Sequence, residues 1–352
     1  MKSPSNKFQI HATNINGLGA INVSNEIIKS ILKQYEENVS RVYINENIKT
    51  NIDKSKTIVY KRILPKMISR FLELCFSKWM FKNIPTLVLG DLPLNGIENQ
   101  TLFVHQYNLV KPQINEYASS QFLFKVQRVL FQYNLKYVNQ IIVQSDFMKT
   151  DLAKSYQEFK GEIHVIPLPP IGIKDMEIKN SLKNNNKLIF IYPALRYPHK
   201  NHTFLQKLYV NLKGEEAPFE IWLTLPKRDF KEFERLPFVK NIGVIKHSEM
   251  IEYYKKVDAL VNFSNTESFC LPLIESIFLK KPILTVNQPY SRWMCEDYSY
   301  YFNPDDVSSF INSFNRLKND ILNDTFRDNE SPKRKFVKDW GTVANNFNKI
   351  MN

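Results

Sequence analysis

Short runs of β-branched and aromatic residues alternate along the chain with longer segments in which apolar residues recur at helical spacing. This alternation is typical of parallel sheets covered by helices, so it predicts an α/β architecture. The predicted strands are residues 7–12, 39–44, 56–60, 86–89, 101–105, 138–144 and 162–166 in the first half, and residues 187–192, 219–225, 241–245, 257–263, 282–286 and 299–302 in the second.

A proline-rich and then polar stretch separates the two sets of strands. Pro167, Pro169 and Pro170 precede the polar residues 174–186, which include three successive asparagines. This composition is typical of a linker between domains. The predicted organisation is a Rossmann-like domain over residues 1–170, a linker over residues 171–186, a second Rossmann-like domain over residues 187–334 and a last helix within residues 335–352.

Residues 61–82 have a basic and an apolar side when they are placed on a helical wheel. The polar arc holds Arg62, Lys66, Ser69, Arg70, Glu73 and Ser77, and the other arc holds Leu64, Met67, Ile68, Phe71, Leu72, Leu74, Cys75, Phe76 and Trp79. Two interpretations stay open. The helix packs its apolar arc on its own domain with the basic face in water, or it exposes a basic and aromatic surface that lies on anionic lipid.

Composition and charge exclude some classes of protein and some classes of partner. Of the 352 residues, 43% are hydrophobic and 24% are charged, which excludes a disordered or fibrous chain. The 48 Lys and Arg residues against 35 Asp and Glu residues give a net charge of +13, which attracts anionic partners. The lysines are dispersed and the sequence has no recognisable nucleic-acid-binding module, so we expect no nucleic-acid partner.

The sequence also indicates the cellular compartment in which the protein is expected. No stretch approaches the ~20 apolar residues of a spanning helix, and residues 1–7 lack the apolar core of a signal peptide. We therefore expect a cytoplasmic protein, peripheral on the inner face of the membrane if residues 61–82 lie on lipid. Cys75, Cys270 and Cys295 are far apart and odd in number, so we expect free thiols.

The strongest chemical signal follows the strand predicted to end at Phe263. Glu267 and Glu275 are separated by seven residues and flank a turn, with Pro272 suited to the start of a helix. The unpaired backbone amides of such a helix start can bind a phosphate, aided by the helix dipole. Glu275 would then reach ribose hydroxyls and Glu267 a sugar. The alternative is a strand-to-helix turn that carries two surface glutamates.

With Phe269 between them, Glu267 and Glu275 resemble the hallmark of family 4 of the retaining glycosyltransferases, which is Glu, any residue, Phe, Gly, four residues and a second Glu. The resemblance covers nearly the whole chain. It implies the GT-B fold, in which two Rossmann-like domains face each other across a cleft and the C-terminal helix crosses back to the first domain. Cys270 stands where the family usually has glycine, a costly change if the position needs a positive φ.

Arg196 and Lys200 follow the first strand of the second half. Two fixed cations at this point would stabilise the charge that a nucleotide diphosphate gains as it leaves, without a metal ion. The family has an Arg and a Lys here that contact the donor pyrophosphate, so the resemblance implies the same role. The alternative is a pair of ordinary surface cations at a strand end.

The resemblance implies that two features of the first half also belong to the site. His105 ends the predicted strand 101–105, and the carboxyl ends of parallel strands are where open sheets bind ligands. The resemblance implies that His105 contacts the transferred sugar; a structural histidine is the alternative. Gly17 and Gly19 follow the first strand, which indicates a backbone that needs freedom. The resemblance implies a donor-facing loop there, and a plain tight turn is the alternative.

The implied donor site includes further residues of the second half. Its members are Ser268, Phe269, Cys270 and Leu271 at the helix start, and Ile245 and Lys246 beside the nucleobase. Asp305 and Asp306 have the look of a metal-binding pair, but in similar proteins this segment begins the final helical segment. We therefore expect no metal and no cofactor, with the nucleotide sugar acting as co-substrate.

Residues and resemblance together predict a retaining, metal-independent glycosyltransferase with His105, Glu267, Arg196 and Lys200 in the catalytic centre. Its acceptor would be a saccharide, carried on an isoprenoid diphosphate in the synthesis of O-antigen or another surface polysaccharide. Two alternatives stay open. One is a nucleotide-sugar 2-epimerase on a similar fold, and the other is a catalytically silent GT-B subunit that binds a partner enzyme, which Cys270 makes conceivable.

Overall fold

The computed structural model of the chain describes residues 7–15, 17–46, 48, 55–60, 66–111, 121–173, 187–326 and 329–352. For Lys66, Met67 and Gln121 it describes the backbone alone. Arg62, Leu64 and most of the predicted linker therefore lie outside the described residues. The chain forms two units, Met1–Ile171 with Phe336–Asn352, and Gly172–Lys335. We call them unit 1 and unit 2; the roles predicted for the two domains stay predictions.

The described part of the chain contains thirteen strands and thirteen α-helices. The strands are β1 (Phe8–Ala12), β2 (Val39–Ile44), β3 (Thr57–Val59), β4 (Thr86–Val88), β5 (Gln100–Phe103), β6 (Val138–Val143), β7 (Glu162–Val165), β8 (Leu188–Tyr192), β9 (Phe219–Leu223), β10 (Val239–Asn241), β11 (Ala259–Asn262), β12 (Ile283–Val286) and β13 (Tyr300–Phe302). The helices are α1 (Leu18–Tyr35), α2 (Lys66–Cys75), α3 (Ser77–Met80), α4 (Tyr107–Val110), α5 (Gln121–Asn134), α6 (Asp146–Ser155), α7 (Phe204–Leu212), α8 (Lys227–Phe230), α9 (Met250–Tyr254), α10 (Leu271–Phe278), α11 (Pro289–Cys295), α12 (Val307–Leu322) and α13 (Trp340–Met351).

Each unit is built on one parallel sheet. The order is β3-β2-β1-β4-β5-β6-β7 in unit 1 and β10-β9-β8-β11-β12-β13 in unit 2. Strands β11 and β12 are buried at every position, as expected for central strands with helices on both faces. Every predicted strand has an observed counterpart, although β10 begins two residues before the predicted range 241–245. The predicted α/β fold class is therefore confirmed.

The C-terminal helix α13 packs within unit 1. Its buried residues are Val343, Ala344 and Phe347. Trp340 donates a hydrogen bond from Nε1 to the carbonyl of Pro170 at 3.2 Å, and Tyr35 of α1 donates from its hydroxyl to Asn345 at 2.6 Å. The last helix that the sequence predicted is thus present, and its apolar residues Val343 and Phe347 are buried within unit 1.

The described part of the predicted amphipathic segment, residues 66–82, contains two helices, because the backbone leaves the helical conformation at Phe76, where φ is −117° and ψ is 22°. The first interpretation had the polar arc in water and the apolar arc packed on the domain, and the structure differs from it on both sides of the segment. Glu73 and Ser77 of the polar arc are fully buried, whereas Phe71 is 51% exposed and Trp79 is 83% exposed. For the described side chains of the polar arc the expectation that they face water is wrong, because Arg70, Glu73 and Ser77 have hydrogen-bond partners inside unit 1.

None of the helices in the described ranges has the length and the apolar content that crossing a lipid bilayer requires.

Candidate functional site

In unit 2 the direction of the strand order changes between β8 and β11. Open α/β sheets bind ligands beyond the carboxyl ends of the strands at such a switch point. Arg196 and Lys200 lie in the loop after β8, and Glu267 lies in the loop after β11. The topology therefore brings Lys200 and Glu267 together, although they are 67 positions apart in the sequence.

Lys200 and Glu267 form a direct ion pair, with side chains 18% and 12% exposed. Burial raises the pKa of Glu267, but the nearby positive charges, Lys200 foremost, and the hydrogen bond from Lys200 outweigh it and hold the pKa below its ordinary value. Burial lowers the pKa of Lys200, and here too the pairing prevails, so the Lys200 pKa is raised. Both groups are charged at neutral pH, which leaves a fixed cation at the switch point.

Hydrogen bonds hold the two loops against each other. Tyr192 at the end of β8 donates from its hydroxyl to the Lys200 carbonyl at 2.6 Å, and its oxygen lies 3.1 Å from the Ser264 hydroxyl. The amide of Asn265 donates to the His199 carbonyl at 2.7 Å. These contacts fix the backbone that carries the Lys200–Glu267 pair, so the pair is positioned before any ligand binds.

Arg196 has a different partner from Lys200. Its Nη2 atom lies 2.5 Å from Oε1 of Glu232, and its guanidinium lies 6.0 Å from the ring centre of Phe233. The Arg196 side chain is 42% exposed, so it is held at one end and open to solvent at the other. Sequence reasoning missed Glu232, because no spacing relates it to Arg196.

A cavity of about 270 Å³ adjoins this loop. It is lined by Arg196, Tyr197, Pro198, Asn201, His202 and Thr203. Burial, followed by the charge of Lys200, lowers the pKa of His202 to about 3, so this side chain is neutral at physiological pH. The cavity therefore has one cation, Arg196, on a wall that is otherwise uncharged.

Helix α10 begins at Leu271, as predicted, with Pro272 in its first turn. The residue before it, Cys270, has φ of −91° and ψ of 96°. The left-handed region that favours glycine is not used, so a Cβ causes no backbone strain here. The Cys270 amide lies 3.3 Å from the Met294 sulfur, and burial raises the pKa of the thiol, which stays neutral. Phe269 is buried, while Ser268 and Leu271 are partly exposed.

Glu275, the fifth residue of α10, is 2% exposed. Its Oε1 accepts a hydrogen bond from His247 Nε2 at 2.6 Å, and its Oε2 accepts one from the Tyr254 hydroxyl at 2.7 Å. Both oxygens thus have a partner in the protein, and the predicted contact with ribose stays a prediction. Sequence reasoning missed His247 and Tyr254, which precede Glu275 by 28 and 21 positions without a recognisable spacing.

The loop predicted to border the nucleobase leads into this cluster. Gly243 has φ of +79°, which favours glycine. Its amide donates to Asn241 Oδ1 at 3.3 Å, and that side chain also bridges the backbone of Leu225. Lys246 is 84% exposed and Ile245 is partly buried. The loop ends at His247, so it is connected to Glu275; its contact with a base stays a prediction.

The two aspartates at the start of α12 have structural roles. Asp306 Oδ1 accepts the amide hydrogen of Ser309 at 2.9 Å and caps the helix. Asp305 accepts from Lys207 Nζ at 2.7 Å. Within the described ranges, no group of three His, Cys, Asp or Glu side chains is arranged to hold a metal ion. Metal independence stays a prediction.

In unit 1, His105 lies two residues beyond the end of β5, and its Nε2 is 3.1 Å from Asp91 Oδ2. Gly17 caps α1 with φ of −78°, and neither Gly17 nor Gly19 has a positive φ. A Cβ on Gly17 would meet Ala20 Cβ at 3.9 Å, and one on Gly19 would meet nothing within 4 Å. The expectation that these positions need backbone freedom is wrong, and the donor-facing role of the loop stays a prediction.

A buried polar cluster in unit 1 was not predicted. His11 Nε2 lies 3.0 Å from Glu73 Oε1, and the Thr13 hydroxyl donates to the same oxygen. The three side chains are 1%, 0% and 0% exposed for His11, Glu73 and Thr13. Because a buried carboxylate is stable only with such partners, this cluster fixes the inward face of α2.

The loop after β1 is held from two sides. Arg70 of α2 donates from Nη2 to the Asn14 carbonyl at 3.0 Å and from Nε to the Asn14 side chain at 3.2 Å. Asn45, after β2, donates to the carbonyls of Thr13 at 3.1 Å and Ile15 at 2.7 Å. Both interpretations of the segment placed Arg70 at the surface, in water or on lipid; the structure instead turns it toward this loop.

Comparisons with known proteins show which proteins this chain is similar to. Residues 173–331 match the family model described as glycosyl transferases group 1. The O-antigen chain mannosyltransferase RfbU of Salmonella typhimurium is 24% identical over 232 residues, which cover 63% of this chain. The matched part spans 62% of the length of that relative.

Solved structures of similar fold cover almost the whole chain. Sucrose-phosphate synthase from Thermosynechococcus elongatus matches with a TM-score of 0.70 and 13% identity over 98% of each chain. Anabaena HepE, solved in complex with UDP and glucose, matches with a TM-score of 0.64 and 12% identity over 97% of this chain and 98% of its own. Identities this low show the fold alone. The predicted fold class, two parallel-sheet α/β domains as in GT-B proteins, is confirmed; the cleft between them stays a prediction.

Proposed function

We propose that this chain, whose residues 173–331 match the glycosyl transferases group 1 model, moves a sugar from a nucleotide-diphosphate donor to a saccharide acceptor with retention of configuration. The observation that carries the proposal is the Lys200–Glu267 ion pair at the β8/β11 switch point. It places a fixed cation at the position where this fold binds ligands. Anabaena HepE, which has the same fold, holds UDP and glucose.

In the proposed reaction, the bond between the anomeric carbon and the diphosphate oxygen breaks, and a bond to an acceptor oxygen forms on the same face. The departing diphosphate takes up the acceptor proton. Lys200 and Arg196 stabilise the negative charge that develops on it, together with the backbone amide of Leu271 at the start of α10. Glu267 orients Lys200 and contacts the sugar, and His105 keeps its predicted contact with the same sugar.

We assign the acceptor to the class of lipid-linked oligosaccharides. The curated relative is an O-antigen chain mannosyltransferase, which supports an acceptor in the synthesis of O-antigen or a similar surface polysaccharide. Such chains grow on an isoprenoid diphosphate, an anionic group that suits a protein of net charge +13.

The first test identifies the donor. Thermal unfolding is followed with UDP, GDP, ADP and CDP, because a nucleotide that binds the folded state raises the melting temperature. The matching nucleotide sugars are then incubated with and without saccharide acceptors. Transfer supports the proposal. Donor isomerisation without an acceptor would show a 2-epimerase, and no reaction with any donor would show a silent subunit.

The second test addresses the site. We expect Lys200→Ala and Glu267→Gln to lower kcat by about 100-fold to 1,000-fold, because a preorganised charge is lost. Lys255→Ala is the matched control, since Lys255 pairs with Glu252 within one exposed turn of unit 2. Unchanged turnover in folded Lys200→Ala protein would overturn the assignment.

We also propose that unit 1 binds anionic lipid at the inner face of the membrane through the α2–α3 surface, defined as Ile68, Phe71, Phe76, Trp79 and Met80. These side chains are 52%, 51%, 51%, 83% and 37% exposed. Exposed aromatic and aliphatic groups beside lysines are typical of surfaces that enter the headgroup region. Lys78 and Lys82 are exposed next to this surface and supply the charge.

The test changes apolar residues of this surface, because neutralising the basic residue Arg70 would disturb the loop at Asn14. Sedimentation with phosphatidylglycerol vesicles is compared for the wild type, Phe71→Ser and Trp79→Ser. Each change should weaken binding by about tenfold, since one aromatic side chain stays in water. Val210→Ser removes an equally exposed apolar residue in unit 2 as a control. Undiminished binding by both α2–α3 variants, or equal binding to phosphatidylcholine, would contradict the proposal.

A further inference from the structure

Asp91 follows β4 and has a backbone conformation that costs free energy. Its φ is +65°, in the left-handed region that residues other than glycine rarely adopt. The residue before it is Gly90, where a Cβ would lie 3.0 Å from Asn14 Cβ in the loop after β1. Strained residues persist where surrounding contacts determine them, so the contacts of Asp91 indicate what the strain serves.

The carboxylate of Asp91 fixes both the backbone and the ring of His105. Its Oδ1 accepts the amide hydrogens of His105 at 2.7 Å and Gln106 at 2.9 Å. Its Oδ2 lies 3.1 Å from His105 Nε2, and both side chains are 17% exposed. One aspartate therefore sets the turn between β5 and α4 and the direction of the imidazole on it.

The imidazole has no second polar anchor in the part of the chain that the structure describes. Its Nδ1 atom is buried there without a hydrogen-bond partner, and its other neighbour is the Phe103 ring, with 5.7 Å between the ring centres. A carboxylate can only accept, so the proton of the neutral ring lies on Nε2 and the lone pair on Nδ1.

We infer that Asp91 is a positioning residue, which fixes the orientation and the protonated nitrogen of His105 for sugar transfer. The inference rests on the proposed function, in which His105 contacts the transferred sugar. Sequence reasoning identified His105 and missed Asp91, because Asp91 belongs to another strand end. Partners that orient a site residue in this way commonly affect activity by about 10-fold to 100-fold.

Asp91→Asn tests the inference with little disturbance of the fold. Asparagine tolerates a positive φ, and its Oδ1 can still accept from the two backbone amides. Its NH₂ group can only donate toward His105 Nε2, so the neutral ring should move its proton to Nδ1. Nitrogen-15 NMR of histidine-labelled full-length protein at pH 8 reads this directly. The wild type should show the Nε2–H form and the variant the Nδ1–H form.

Kinetics complete the test. We expect Asp91→Asn to lower kcat by about 10-fold to 100-fold with an unchanged KM for the donor. Asp151→Asn is the control, because Asp151 accepts a hydrogen bond from Tyr107 in the same unit. If the wild-type ring carries its proton on Nδ1, the inference is overturned, and NMR of the wild type alone detects this. An unchanged tautomer in the variant, or an unchanged kcat after the tautomer has switched, would overturn it as well. Loss of the proposed function is recognised separately, by the absence of transfer in the wild type.

Discussion

Helices α2 and α10 each bury one glutamate, and each glutamate has the same kind of partners. Glu73 is 0% exposed and lies 3.0 Å from His11, and Glu275 is 2% exposed and lies 2.6 Å from His247. A hydroxyl group donates to each carboxylate as well. Both helices are therefore fixed at their inner face by a partnered carboxylate.

The two helices differ in their remaining residues. Leu273, Ile274 and Ile277 of α10 are fully buried, so unit 2 itself uses the apolar surface of that helix. Ile68 and Phe71 of α2 are about half exposed. Unit 1 holds α2 through its polar side and leaves much of its apolar side in water. The difference teaches that an amphipathic pattern does not by itself say which face is inside.

The largest contrast is expected from truncating one apolar residue in each helix. Ile277→Ala should lower the free energy of unfolding by about 2 to 5 kcal/mol, because it leaves a cavity in the core of unit 2. Phe71→Ala should lower it by less than about 1 kcal/mol, because half of the ring is already in water. Urea-induced unfolding measures both. Equal losses would show that α2 is buried like α10.

The buried carboxylates of Glu73 and Glu275 should contribute about equally to the free energy of unfolding. Glu275→Ala and Glu73→Ala are each expected to destabilise by about 1 to 3 kcal/mol, because buried donors lose their acceptor. Glu37→Ala changes an exposed residue and should stay within about 0.5 kcal/mol. In the Glu275→Ala background, Tyr254→Phe should cost less than it does alone. If only one of the two glutamate variants lost stability, the two helices would not be fixed in the same way.

Acid sensitivity should be a property of the loop after β8 in unit 2. The pKa of His202 is about 3 in the folded chain against an ordinary value of 6.5. Between these values the unfolded state binds more protons, so stability falls as pH falls. From pH 7.5 to pH 5 the loss should be about 1 to 2 kcal/mol. Melting temperatures of the wild type and His202→Gln at both pH values check this, and parallel curves would contradict it.

The smallest effect is expected from Cys270→Gly, which restores the usual residue of the resembling family. Because φ at Cys270 is −91°, glycine relieves no strain there and should destabilise by about 0.5 to 1 kcal/mol. Thermal unfolding of the variant tests this. A gain in stability would mean that the position prefers glycine after all.

The strands and the start of α10 were predicted because their signals are local. Runs of β-branched residues, and a proline after a turn, depend on neighbours in the sequence. Lys200 and Glu267 were both identified, because each lies in a loop after a strand whose carboxyl end is at the switch point and because each matches a motif of the resembling family. Local pattern and sheet topology alone left surface residues as the alternative for both side chains, and the resemblance to family 4 favoured the site.

The partners of the site residues could not be predicted in this way. Glu232 contacts Arg196, and Asp91 contacts His105, because the tertiary fold brings together residues that no local pattern relates. For α2 the helical wheel gave the two arcs and could not give their direction. That direction is decided by Glu73, whose partner His11 lies 62 positions earlier in the chain.

The distribution of thiols has a practical consequence. Cys270 and Cys295 are buried, and burial raises the pKa of both, to about 12 for Cys295. Cys75 is partly exposed at the end of α2, although burial raises its pKa as well. A thiol-reactive dye should therefore attach to Cys75 first. Its emission would then report the surroundings of α2 in the otherwise native protein, with no engineered cysteine.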